Sequence, residues 1–93
     1  MRLPEKDKEI IKKAILSIDP QARIFLFGSR ADPRKKGGDI DILVLSSQLK
    51  ITDKATILHN IFKEIEEQKI DIVIEKDQTN PFVKMIMTEA ILL

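Results

Sequence analysis

All three glycines of this 93-residue chain fall in one short segment, at Gly28, Gly37 and Gly38. Glycine accepts backbone conformations that other residues resist, and it lets a ligand approach the main chain closely. The segment is polar and lies between two apolar stretches, 24–27 and 40–44. Because a chain of this length forms one domain, the glycines predict a single specially shaped loop between two buried strands of that domain.

Apolar periodicity on both sides of this loop predicts an alternation of helices and strands. Apolar residues at helical spacing predict one helix near Pro4 and a second after Thr52 or Asp53, and Asn80-Pro81 is a helix-start signal. Continuous or alternating apolar residues predict the strands 22–27, 39–44 and 70–75.

The last twelve residues leave two alternatives open. They form either one helix, or a short helix that ends near Met87 and a strand over 90–93. In both cases we expect one domain, 1–93, of the α/β or α+β class, with a small mixed sheet and helices packed mainly on one side. The tail is also so apolar that we expect part of it to contact another copy of the chain or a partner.

The composition excludes several kinds of chemistry. The absence of cysteine excludes disulfides and thiolate metal sites, and it fits the cytoplasm. Sixteen basic against fifteen acidic residues give no general attraction to nucleic acid, and we expect no direct binding to it. No apolar run approaches the roughly 20 residues that span a bilayer, so we expect no membrane association. The single histidine, His59, is predicted on an outer helix face, so no zinc site is expected.

Two carboxylates follow the loop at a spacing that suits a metal ion. Asp39 and Asp41 are two residues apart on a predicted strand, so both side chains point to one face. Mg²⁺ prefers such oxygen ligands and is commonly held by one or two carboxylates together with substrate phosphates. Asp71, in the next strand, is either a third carboxylate of this site or a solvated edge residue.

The other end of the loop suggests how phosphates could be held. A helical turn that starts at Gly28 would present free N–H groups, and the Ser29 hydroxyl, to a phosphate. The basic run Arg34-Lys35-Lys36 is either a solvated loop or a means of steering a triphosphate. The chain has neither a P-loop pattern nor the dinucleotide-binding glycine pattern.

Taken together, these motifs resemble the signature of minimal nucleotidyltransferases of the DNA polymerase beta superfamily. In that signature an apolar strand ends in Gly-Ser, and about ten residues later Asp-x-Asp lies in the next strand, as in 27–31 and 38–42 here. The signature also predicts a third acid in a later apolar strand, which Asp71 supplies. The resemblance covers roughly 22–75 and implies a polymerase-beta-type fold.

The resemblance implies a role for each motif residue. Asp39, Asp41 and Asp71 would be both catalytic and metal-binding, with two Mg²⁺ ions, and Asp71 could help to deprotonate the acceptor. Gly28, Ser29 and Arg30 would bind the phosphates of the nucleotide. Many relatives have Ala-Arg-Gly where this chain has Ala31-Asp32-Pro33, and their loop is longer. These departures bear on loop shape and phosphate contacts rather than on the carboxylates.

The resemblance also implies a partner and a reaction. Family members of this size form one half of two-gene prokaryotic modules, and the other half is an all-helical HEPN-domain protein. In several such pairs the HEPN protein is a toxic ribonuclease, and the transferase is an antitoxin that adds AMP from ATP to a tyrosine of the toxin. Two rivals stand beside this hypothesis, a catalytically silent subunit that neutralises its partner by contact, and a transferase acting on a small molecule.

Overall fold

The computed structural model describes residues 3–32, 34 and 38–93. Three helices and four strands alternate along these residues, with a 3₁₀ turn between the first two strands. Their bounds are α1 Glu5–Leu16, β1 Arg23–Phe27, the 3₁₀ turn Gly28–Ala31, β2 Ile40–Leu45, α2 Asp53–Phe62, β3 Ile70–Glu75, α3 Pro81–Met87 and β4 Ile91–Leu92. No helix in the described ranges is both long enough and apolar enough to cross a membrane.

The strands form one mixed sheet in the order β3-β2-β1-β4. Strand β1 is antiparallel to both β2 and β4, whereas β2 and β3 are parallel. The predicted class, a small mixed sheet with helices packed on it, is therefore confirmed. The α2 helix connects β2 to β3, as a parallel pair requires a long connection across the sheet.

The core lies on both faces of the sheet, because β1 and β2 are buried on both sides. One face packs against α1 and α2, and its interior is built from the aliphatic residues Ile11, Ile15, Ile24, Leu26, Ile40, Ile42, Val44, Ile57 and Ile61. The other face packs against α3 through Phe25, Leu43, Leu45, Val83 and Ile86. Two of the three helices thus share one side, as predicted, and α3 alone covers part of the opposite side.

The C-terminal segment forms a short helix followed by a strand. The Asn80 side chain accepts a hydrogen bond of 2.8 Å from the Phe82 N–H, which is the predicted cap of α3. The Ala90 N–H still bonds to the Ile86 carbonyl at the helix end, so β4 begins one residue later than the predicted strand. Strand β4 pairs with β1, so the end of the chain forms an edge strand of the sheet.

Strand β2 begins at Ile40, so Asp39 lies just before the strand and not within it as predicted. The Ile40 N–H donates to the Lys69 carbonyl over 3.3 Å, and this is the bond that starts the parallel pairing with β3. Asp39 precedes that first bond. Its side chain is therefore placed by the loop and by its neighbours rather than by the pleat of the sheet.

Candidate active site

The carboxylates lie where β1 ends and where β2 and β3 begin. Asp41 pairs in register with Asp71 on β3 and with Phe27 on β1. Because side chains alternate along a strand, Asp41 and Asp71 point to the face that carries α3. Helix α3 packs farther along β2, over Leu43 and Leu45, so it leaves this end of the face open. Asp71 is exposed on the edge strand and Asp41 is half-buried between its neighbours.

Asp39 is close to these two carboxylates in sequence but has a different partner. Its Oδ2 atom lies 3.5 Å from the Lys69 ammonium nitrogen, and both side chains are exposed. Within residues 3–32, 34 and 38–93, no three carboxylate or imidazole groups are clustered tightly enough to share one ion. The structure thus pairs Asp41 with Asp71 and Asp39 with Lys69. The three-carboxylate metal site stays a prediction.

The pKa of Asp41 shows how crowded this end of the sheet is. Burial raises the pKa of the Asp41 carboxyl, and repulsion from Asp71 and from Asp39 raises it further. A hydrogen bond shared with the Asp71 carboxyl also raises this pKa, and the Lys69 ammonium lowers it. Negative charge at Asp41 is therefore unfavourable until a cation offsets it.

This raised pKa predicts how stability depends on pH in the absence of divalent cations. A carboxyl with a higher pKa in the folded chain keeps a proton that the unfolded chain has lost. The stabilisation that Asp41 contributes in this way is complete at pH values below 3.8, the ordinary pKa of the carboxyl. It is lost as the pH rises through the raised pKa of the folded chain. We expect the wild type to lose stability relative to Asp41→Asn over that window, as measured by denaturant unfolding in EDTA. A stability difference that does not change with pH would contradict this expectation.

The glycine loop packs directly against the carboxylates. Gly28 has φ of +73°, and a Cβ atom there would overlap the Asp41 carboxylate. Gly38 has φ of +89°, and a Cβ atom there would overlap the Ser29 hydroxyl. Glycine is required at both positions for two reasons, the left-handed backbone and the close approach of a polar side chain. The loop therefore packs Gly28 against Asp41 and Gly38 against Ser29. The roles of Gly28 and Ser29 in phosphate binding stay predictions.

Arg30 links the two ends of the loop. Arg30 lies in the 3₁₀ turn Gly28–Ala31. Its Nε–H donates to the Gly38 carbonyl over 3.2 Å, at the other end of the loop. Arg34 forms two side-chain hydrogen bonds with Asp32, each of 3.0 Å. Of the other loop residues discussed above, Pro33, Lys35, Lys36 and Gly37 lie outside the described residues. The role of Arg30 in phosphate binding stays a prediction, whereas its contact with the loop backbone was not foreseen.

Lys69 is a residue at the site that the sequence interpretation missed. It lies two residues before Asp71. Its backbone carbonyl accepts a hydrogen bond from the Ile40 N–H, and its ammonium group forms an ion pair with Asp39. A basic residue two positions before a candidate ligand is the signal that could have identified it. His59, in contrast, is exposed on α2, as predicted.

The donor set of this site suits a hard divalent cation. Its side chains offer carboxylate oxygens on adjacent strands, and such oxygens are the ligands that Mg²⁺ prefers. Their mutual repulsion, visible in the raised pKa of Asp41, is the cost that a bound cation would offset. The in-register pair Asp41 and Asp71 therefore offers two ligands for such an ion, whereas the Asp39 carboxylate contacts Lys69.

The structure thus combines a mixed sheet with paired carboxylates beside a Gly-Ser turn. The family model of the nucleotidyltransferase domain matches residues 8–93, so the chain belongs to this family. A search of curated proteins found no match to the chain. The family match confirms the nucleotidyltransferase part of the resemblance, and with it nucleotidyl transfer as the general class of activity.

Proposed function

We propose that this chain is a Mg²⁺-dependent enzyme that transfers AMP from ATP to a hydroxyl group and releases pyrophosphate. The observation that carries this proposal is the in-register pair Asp41 and Asp71, which lies beside the Gly28–Ala31 turn at the open end of the sheet. The family membership supports the transfer of a nucleotide. The carboxylates support the metal, because a silent subunit would have no need to hold repelling charges together.

In this proposal each residue has a separate task. Gly28 and Ser29 hold the terminal phosphates, and the contact of Arg30 with Gly38 keeps the loop closed around them. Asp39, Asp41 and Asp71 would hold one or two Mg²⁺ ions, which would supply charge neutralisation at the α-phosphate of the transferred nucleotide. Asp71 is the more exposed residue of the Asp41–Asp71 pair. It accepts the proton of the acceptor hydroxyl while the hydroxyl oxygen attacks the α-phosphorus. The bond to pyrophosphate breaks on the opposite side.

We further propose that the acceptor is a tyrosine of a HEPN-domain toxin and that the chain acts as its antitoxin in the cytoplasm. The open site supports a macromolecular acceptor, since Asp39 and Asp71 are exposed. Large apolar side chains are exposed on the α3 side of the sheet, at Phe82, Met85 and Leu92. Exposed apolar groups of this kind commonly mark an interface, and they lie on the same side as the site.

Transfer can be tested with ATP labelled at the α-phosphate, Mg²⁺ and the product of the neighbouring gene. We expect label to enter the neighbour's protein, and we expect Asp71→Asn to abolish the labelling while its far-UV spectrum and melting midpoint stay near wild type. Glu75→Gln, at the far end of the same strand and face, is the matched control and should keep activity. Near-normal labelling by Asp71→Asn would remove Asp71 from the site. Binding of the neighbour without any labelling would instead favour the silent subunit.

A further inference from the structure

Lys69 forms an exposed ion pair with Asp39 beside the carboxylate site. Its ammonium nitrogen lies 3.5 Å from Asp39 Oδ2, and its charge also lowers the pKa of Asp41. The Lys69 carbonyl accepts the Ile40 N–H, which fixes the lysine backbone at the junction between β2 and β3. The lysine backbone is thus anchored at this junction, and its ammonium group lies beside the Asp39 carboxylate.

We propose that Lys69 is the built-in counter-ion of the carboxylates and that its ammonium competes with the divalent cation for Asp39. This inference rests on the proposed Mg²⁺ site. An ammonium group and a divalent cation repel each other, so each weakens the interaction of the other with the Asp39 carboxylate. The Lys69 side chain is 67% exposed, which lets it turn toward solvent when the ion binds. Lys69 therefore lowers the affinity for Mg²⁺ and shields the carboxylates from each other when no ion is bound.

The expected change in Mg²⁺ affinity is small because the ion pair between Lys69 and Asp39 is exposed. Exposed ion pairs interact weakly, because water and salt screen both charges. Removal of the Lys69 charge should therefore strengthen Mg²⁺ binding by about twofold to fivefold, and not by orders of magnitude. Lys69→Gln removes the charge and keeps most of the side-chain length, whereas Lys69→Arg keeps the charge.

The test is a series of thermal melts of the full chain over a range of Mg²⁺ concentrations, without nucleotide and at constant low ionic strength. We expect Lys69→Gln to reach half of its maximal rise in Tm at about twofold to fivefold lower Mg²⁺ concentration than the wild type. Lys69→Arg should match the wild type. Lys6→Gln removes the same charge from an exposed position on α1, behind the opposite face of the sheet, and should also match the wild type.

The outcomes separate this inference from the proposed function. If Lys69→Gln lowers Tm equally at every Mg²⁺ concentration, the lysine is only structural and the inference is wrong. Weaker Mg²⁺ binding by Lys69→Gln would overturn it as well. A wild type whose Tm does not respond to Mg²⁺ at all would remove the metal site itself, and both proposals would fall. A half-point that shifts in Lys69→Gln, but not in Lys69→Arg or Lys6→Gln, supports the inference.

Discussion

Asp41→Asn should reduce nucleotidyl transfer by about 10³-fold or more while leaving the metal-free protein at least as stable as the wild type at neutral pH. The loss follows from the several kcal/mol of charge stabilisation that a metal ion gives a transferring phosphoryl group, at about 1.4 kcal/mol per factor of ten. The gain in stability follows from burial and from the Asp71 and Asp39 charges, which both disfavour the Asp41 anion. The amide keeps the shape of the carboxylate and can donate to Asp71.

Loss of transfer without loss of stability distinguishes a metal ligand from a residue that is needed only for folding. A residue that matters only for folding would lose activity and stability together. Transfer measured with labelled ATP and stability measured by denaturant unfolding in EDTA give both quantities. Glu75→Gln, a carboxylate substitution at the other end of β3, serves again as the control and should change neither greatly. If Asp41→Asn retains more than a tenth of the wild-type rate, Asp41 is not a metal ligand in the reaction.

Gly28→Ala should both destabilise the fold and nearly abolish activity. A left-handed backbone costs a non-glycine residue about 1–2 kcal/mol, and Gly28 has φ of +73°. The new Cβ atom would in addition overlap the Asp41 carboxylate, so that carboxylate must move. A displacement of about 1 Å in a catalytic group can cost roughly 10²-fold in rate. We expect a loss of at least this size in transfer.

A double-mutant cycle isolates the overlap from the backbone cost. In an Asp41→Ala background the carboxylate that the new methyl group meets is gone, so Gly28→Ala should cost only the backbone contribution there. Denaturant unfolding of the four proteins gives the coupling between the two positions. Strict additivity would contradict the close packing of Gly28 against Asp41.

The sequence predicted most of the fold because its local signals agree with one another. The apolar run that ends at Phe27, the Asn80-Pro81 helix start and the β-branched stretch 70–75 each produce the expected element. The order and direction of the strands were not predicted, and only the structure gives them. Periodicity identifies which face of a strand is buried, but not its neighbour or its direction.

The sequence predicted the site residues less completely, because long-range side-chain contacts leave no local signal. Asp39 was expected to share the strand face with Asp41, but β2 begins one residue later and Asp39 contacts Lys69 instead. The same holds away from the site, where the Ser46 hydroxyl donates to Asp19, 27 residues earlier in the chain. Such contacts depend on which chain segments the fold brings together.

Thermal melting with Mg²⁺ and ATP shows whether these carboxylates bind Mg²⁺ and a nucleotide together. Ligand at about 100 times its Kd adds roughly 2.7 kcal/mol to stability, which for a domain of this size raises Tm by about 10 °C or more. We predict such a rise for the wild type with Mg²⁺ and ATP together, a smaller one with either alone, and for Asp41→Asn no more than the rise that ATP alone produces. A folded wild type whose Tm is unchanged at saturating Mg²⁺ and ATP would contradict the account.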